Sequence, residues 1–405
     1  MSTTSMRVSA RRANFHDVRA SNLGLIMRNV RLRGPSSRAD LASVTGLNKA
    51  TVSSLVTELI ERRLLRESGS AFGNVGRPAV LLTVDTSYYA AIGIEVNVDY
   101  IALVAVDLDG NRLLSWRRSY TGFDVDPNRS IAAIAALTQR AMATMDVEGR
   151  EVLALKVAVP GLVDAEGRVR HVRNLGWKGV DIAAALREVL GYPPYPIGVD
   201  NDANLGALAE HRFGSHAGTA NLMYLTGEYD LGAGLIIGNY LHRGADGYAG
   251  EICHVPVTYE GEARQVGDVA SIKSILQSLT GTNPSSVAEV EADLEEVLTR
   301  ATQGDQETVH KLSAIGSSLG EALAAACDFL NPEVVILGGH YVPLAPWILP
   351  TAEKALQQRA RALDATGVSV VVTSLDREVA ALGAATGILN EIDAGSVPTP
   401  LGRAA

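Results

Sequence analysis

Apolar residues at Leu23, Ile26, Met27 and Val30 recur at steps of three and four, which places them on one stripe of a helix over residues 19–33. Gly34-Pro35 ends that pattern. Ser37, with Asp40 three residues on, resembles a capping box that uses Asp in place of Glu, and Leu41, Ala42 and Val44 supply the next short apolar face. Gly46 follows as the turn. Asn48 is placed to cap a third helix whose buried stripe is Val52, Leu55, Val56, Leu59 and Ile60. The period then changes: Leu64-Leu65 begins a strand, residues 67–76 are a tip rich in Gly, Ser and Asn, and residues 79–84 are a β-rich return. In that order the elements predict a winged helix-turn-helix.

Beyond it the pattern is α/β. Residues 90–94 and 101–106 are apolar runs, 107–110 a turn, and 112–120 alternates. A helix is predicted over 130–145, a strand over 152–159, a helix over 181–190, a strand over 197–200 and a helix over 203–213. The paired-strand opening then recurs at 221–225 and 232–237. A helix at 309–330, a strand at 334–337, a helix at 346–361 and a strand at 368–372 answer it. The chain therefore reads as a small basic-looking front followed by two α/β halves, each opening with a hairpin.

Composition sharpens the division. With 405 residues, 47% hydrophobic and 20% charged, the chain is long enough for two or three domains. Its net charge of -9 hides two opposite parts: the first 80 residues carry 13 Lys+Arg against 5 Asp+Glu, the rest 23 against 40. A polyanion is drawn to the front and repelled by the body. Glu95, Asp99 and Lys156 break the longest apolar stretches below the roughly 18 residues a membrane span needs, and the arginines at 7, 11 and 12 precede no apolar signal core. No membrane partner and a cytoplasmic location are the expectation. Cys253 and Cys327 are too few for a disulfide framework or a paired-Cys metal site.

The front carries candidate DNA chemistry. The third helix starts without long acidic side chains, and its small polar and cationic residues stand where a recognition helix meets base edges and phosphates. Arg38, Asn48, Lys49, Ala50, Thr51, Ser53 and Ser54 are the candidate contacts, with Arg77 at the end of the wing tip. The bland alternative is a helical oligomerisation domain with a solvated arginine face. It does not require the turn, the acid-free helix start, the wing and the positive charge to coincide.

In the body, six strings permit a family resemblance. GRPAVLLTVD (76–85), VAVPGLVD (157–164), NLGW (174–177), DNDANLGALAE (200–210), GYAGEICH (247–254) and LNPEVVILGG (330–339) resemble, in order, those of the ROK family of repressors and sugar kinases. That resemblance implies an actin-like (ribonuclease H-like) two-lobed fold of α/β class behind the winged helix-turn-helix. The domains expected are 1–85 for DNA binding, 86–200 for a first lobe completed by a C-terminal helix at 378–391, and 201–377 for a second lobe. It implies further that Asn174, Asn201, Asp202, Glu251 and His254 hold sugar hydroxyls, and that Asp202 matches the kinase base, although an Asp capping the helix that begins near Ala203 fits as well. Trp177 fits a core position better than a sugar contact.

The chain also departs from the family's kinases. Where a D-x-G-G-T phosphate loop is expected it reads Glu95-Val96-Asn97-Val98-Asp99, and where G-T-G-x-G is expected, residues 226–232 bring in Glu228 and Asp230. Like charges about 4 Å apart repel by roughly 1 kcal/mol in water and about 4 near a protein surface, so kinase activity is expected to be lost. The family's zinc string C-x-C-G-x-x-G-C-x-E is absent too, with Gly267-Asp268-Val269-Ala270 in its place, and neither metal nor cofactor is expected. The expectation is a sugar-responsive repressor whose partners are operator DNA and a sugar effector, acting as a homodimer or homotetramer. The alternative is a sugar kinase with an appended DNA-binding domain.

Overall fold

The structure, a computed structural model, describes residues 15–71, 79–122, 125–227, 230–284, 286–360 and 367–395. Arg77 and Glu228 lie outside them. The chain divides into two compact units. One holds the chain through Tyr89 together with the segment from Ile388 onward, and the other runs from Ala90 to Gly387. The final helix, expected to complete the first lobe, contributes residues to both units.

In the first unit α1 (Phe15–Arg33), β1 (Ser36–Ser37), α2 (Arg38–Thr45), α3 (Lys49–Glu61), β2 (Leu65–Ala71) and β3 (Ala79–Val84) follow one another. The capping box forms: Ser37 Oγ accepts from the Asp40 amide at 3.2 Å, and the Asp40 carboxylate accepts from the Ser37 amide at 3.0 Å. The Ser37 hydroxyl, which donates to the same carboxylate at 2.7 Å, and then the Ser37 amide hold the Asp40 carboxyl below its ordinary value. Gly46, at φ 71, ends α2 in the left-handed region that its missing Cβ allows. Val52, Leu55, Val56 and Leu59 are buried, as the stripe on α3 predicts. The sheet order is β1-β3-β2, and β1, two residues pairing with Leu81 and Leu82, is too short to have shown a period in the sequence. The end of the C-terminal helix (Val379–Asp393) packs on α1: a Cβ on Gly24 would stand 2.4 Å from the Asp393 carbonyl oxygen. Arg31, whose side chain is 2% exposed, forms an ion pair with Asp393 and donates to the Leu389 carbonyl at 3.3 Å.

The second unit opens with β4 (Tyr89–Val96), β5 (Tyr100–Val106), β6 (Arg112–Ser119), α4 (Pro127–Val147), β7 (Glu151–Val159), β8 (Leu162–Val163), β9 (Val169–Val172), β10 (Trp177–Val180), α5 (Ile182–Val189), β11 (Ile197–Asn201) and α6 (Asp202–Phe213). It continues with β12 (Leu222–Gly227), β13 (Leu231–Ile237), β14 (Tyr240–Leu241), β15 (Pro256–Tyr259), β16 (Glu262–Gln265), α7 (Gly267–Ala270), α8 (Ile272–Thr280), α9 (Val287–Thr302), α10 (Gln306–Leu330), β17 (Val334–Gly339), α11 (Tyr341–Arg359), β18 (Ser369–Val372) and α12, the C-terminal helix. Among the described residues two five-stranded sheets result, ordered β11-β7-β4-β5-β6 and β14-β13-β12-β17-β18. Each combines an antiparallel hairpin with parallel strands, β7 with β11 and β12 with β17 and β18. Separate apolar cores form on the two sheets, around Ile92, Leu103 and Val157 in one and Leu225, Leu319 and Leu337 in the other. Every residue of β4 and β5 is buried, which is why those segments read as continuous apolar runs instead of alternating.

Candidate functional site

The segments after β7 and β9, the end of β11 and the first turns of α6 and α8 border a cavity of about 430 Å³ together with residues 251–254. Asn174, Asn201, Asp202, Glu251 and His254, separated by up to 80 positions in sequence, all line it. Asn201 caps α6, accepting from the Asn204 amide at 3.0 Å and donating to the Gly161 carbonyl at 3.0 Å. Asn201 is thus the cap suspected of Asp202, and both ends of its amide hold the cavity wall. Asp202 is the first residue of α6, 8% exposed, and its carboxylate accepts from the Ala203 amide at 2.8 Å.

Asn174 donates to the Asp230 carboxylate at 2.6 Å. Asp230 lines this cavity, where its carboxylate orients Asn174. Gly250, at φ 98, packs so closely that a Cβ would meet the Ala233 carbonyl oxygen at 1.8 Å, and that approach sets the course of the chain into Glu251. Glu251 keeps access to water, yet surrounding protein pushes its carboxyl up from the ordinary value. His254 opposes the shift, Asp230 adds to it and Arg173 opposes it. His254 Nδ1 lies 3.0 Å from Gln265 Oε1. Trp177 is 1% exposed and donates to the Val125 carbonyl at 3.3 Å, the core position expected of it.

Arg173, Lys273 and Gln265 line the same cavity and were not among the candidates. Arg173 adjoins Asn174, a position that sequence reasoning could have weighed. Lys273 lies on α8 and Gln265 on β16, and no motif marks either as a site residue. Cys253 also lines the wall, its thiol pushed up by burial and so held protonated.

A second cavity, of about 550 Å³, shares Asp202 and Thr226 with the first and is otherwise lined by Glu95, Asp99, Arg117 and the start of α12, among others. The Glu95 carboxylate accepts from the Tyr100 hydroxyl and, at 3.3 Å, from the Ala381 amide. In the β4–β5 turn the Val98 amide donates to Asn97 Oδ1 at 2.8 Å and the Asn97 amide to the Tyr100 carbonyl at 2.9 Å. The Val98 and Asn97 amides are thus both engaged within the turn.

On the first unit, Asn48 Oδ1 caps α3 by accepting from the Thr51 amide at 2.8 Å. Lys49, Ala50, Ser53 and Ser54 are exposed, Thr51 is half-buried, and no acid occupies the first turn of α3. The Arg38 guanidinium reaches Glu67 of β2 at 3.2 Å. Among the described residues no cluster of three or more His, Cys, Asp or Glu is placed to hold a metal, and no helix is long and apolar enough to cross a membrane.

The ROK family model matches residues 91–390. The chain is 27% identical to a xylose repressor of Bacillus subtilis over 372 residues, 90% of this chain and 94% of that one. A solved ROK family transcriptional regulator, described as a homologue of the E. coli MLC protein, superposes with a TM-score of 0.80 at 23% identity, covering 94% of this chain and 98% of its own. A ROK family glucokinase from Streptomyces griseus, solved with glucose and AMPPNP, superposes with a TM-score of 0.60 at 24% identity, covering 98% of its own chain but 73% of this one. At those identities the two structures speak for the fold, and the α/β body is the one expected.

Proposed function

The chain belongs to the ROK family, and from that premise we propose that it is a sugar-responsive transcriptional repressor of carbohydrate genes without kinase activity. The observation that carries the reading is a division of labour between the two cavities. One gathers Asn174, Asp202, Glu251 and His254 around a space of sugar size, and the other spends its turn amides on Asn97 and Tyr100 and buries Glu95 where a phosphate cradle is expected. Carboxylates and amides hydrogen-bond adjacent hydroxyls, and a ligand lacking them would leave buried groups unpaired. The similarity to a named repressor over nine-tenths of the chain supports the same reading.

In this proposal Lys49, Ala50, Ser53 and Ser54 of α3 meet operator DNA, with Asn48 and Thr51 fixing the helix start and Arg38 and Arg77 at the edges. Two half-sites about one helical turn apart call for a homodimer or homotetramer in the cytoplasm. A sugar relieves repression to the extent that it prefers a body conformation incompatible with bound operator.

The test is anisotropy of labelled DNA from the protein's own regulatory region, measured against salt and against a panel of simple sugars, with ADP release followed in parallel. Salt-dependent binding that one sugar weakens, without sugar-dependent ADP, is expected. Sugar-dependent turnover of ATP would replace the proposal with the kinase reading. Lys49→Ala is expected to weaken binding and lower the salt slope by about one, and Arg38→Ala to do less because Glu67 already shares its charge.

A further inference from the structure

His254 stands where the family resemblance implies a zinc ligand, and the surrounding residues do not fit that metal. Residues 260–271 contain no cysteine, and a Cβ on Gly267 would already lie 3.0 Å from the Cys253 carbonyl oxygen and 3.1 Å from its Cβ, so the returning strand packs against the segment that carries His254. The antiparallel pairing of β15 with β16 sets Pro256 opposite Gln265, and the Val266 amide donates to the Val255 carbonyl at 2.9 Å, carrying the pairing one residue further. His254 and Gln265 are therefore diagonal neighbours across the pair, a spacing that a long amide side chain spans. Their side chains meet at 3.0 Å between Nδ1 and Oε1. Val266, fully buried, anchors the strand next to this contact.

We infer that Gln265 is a positioning residue that takes over the part of a metal: its side-chain carbonyl keeps the His254 proton on Nδ1 and leaves Nε2 as the acceptor for a sugar hydroxyl, so that the pocket works without zinc. The two nitrogens of a neutral imidazole differ in role, and the bond made by one decides whether the other donates or accepts. The sugar half of this inference rests on the function proposed above, whereas the hold on the ring does not.

The experiment uses the full-length protein and the variants Gln265→Leu and Gln265→Glu. Metal content is measured by mass spectrometry. Affinities for D-xylose, D-glucose and N-acetylglucosamine are measured by calorimetry with and without EDTA, and the His254 ring nitrogens are read from long-range nitrogen–proton spectra assigned against His254→Gln. Expected are less than stoichiometric zinc, affinity indifferent to EDTA, and a ring protonated on Nδ1. Gln265→Leu is expected to lose that tautomer and bind sugar about three- to tenfold more weakly with unchanged melting temperature and operator affinity. Gln265→Glu, which keeps an oxygen acceptor, is expected to hold the Nδ1 proton and bind more tightly than the leucine variant. Stoichiometric zinc, a ring protonated on Nε2, or a leucine variant with unaltered spectrum and affinity would overturn the inference. If none of the sugars binds, the sugar-sensing proposal and the acceptor role of Nε2 fall, while the spectra and metal content still decide what Gln265 does to the ring.

Discussion

The two cavities of the body share Asp202 and Thr226 yet treat their polar groups in opposite ways. Around the larger one, Glu95 accepts bonds from Tyr100 and Ala381, and Asn97 caps the turn that carries it. Around the smaller one, Glu251 stays open to water at the wall and His254 is oriented from behind by Gln265. Polar residues bonded to their own protein stabilise it, whereas Glu251, open at the wall, keeps acceptor capacity free for a ligand. Counting carboxylates would not have separated the two, because both cavities are acidic.

The largest effect that sharpens this contrast is expected from Glu251→Ala. Loss of a charged acceptor at the smaller cavity should weaken the effective sugar about ten- to a hundredfold in calorimetry and leave operator affinity intact. A normal sugar response would remove Glu251 from the pocket. A smaller effect of a different kind is expected at the other cavity: Glu95→Ala leaves the Tyr100 hydroxyl and the Ala381 amide without that acceptor and should lower stability by about 1–3 kcal/mol in urea unfolding. Calorimetry with ATP and magnesium should show no nucleotide binding in that variant, since the turn amides remain occupied; tight binding would break the comparison. The smallest effect is one of pH. An ionised carboxylate accepts hydroxyl hydrogen bonds more strongly than its protonated form, and Glu251 holds its proton at a higher pH than an ordinary glutamate. Sugar affinity should therefore be level at neutral pH and fall on acidification before the usual carboxylate range is reached. An affinity flat down to that range would argue against an ionised Glu251 in the complex.

Most of the fold was legible because its signals are local. Ser37-Asp40, Gly46 and Asn48 fix helix ends through bonds spanning three or four residues, and all form as read. Pro127 behind Asp126 starts α4 three residues before the predicted position, because proline at a first turn loses nothing the helix had to offer. The helix expected from residue 346 begins at Tyr341 and carries Pro346 and Pro350 inside it, where burial of Leu344 and Ile348 outweighs the missing amides. The spacing of Ile272, Ile275, Leu276 and Leu279 is the apolar period of α8. In the site, motif strings located the five candidates but not their partners. Asp230 reaches Asn174 across 56 residues, and Gln265 meets His254 only after a hairpin has formed, contacts that no local pattern records.

The path of α12 bears on how the first unit is isolated for study. A polypeptide cut after Tyr89 would carry α1 to α3 and β1 to β3 but lack the last turns of the C-terminal helix, stripping Gly24 of its cover and the enclosed Arg31 of Asp393. Such a fragment is a poor stand-in for the intact protein. Joining residues 388–395 back onto it through a flexible tether would restore both contacts.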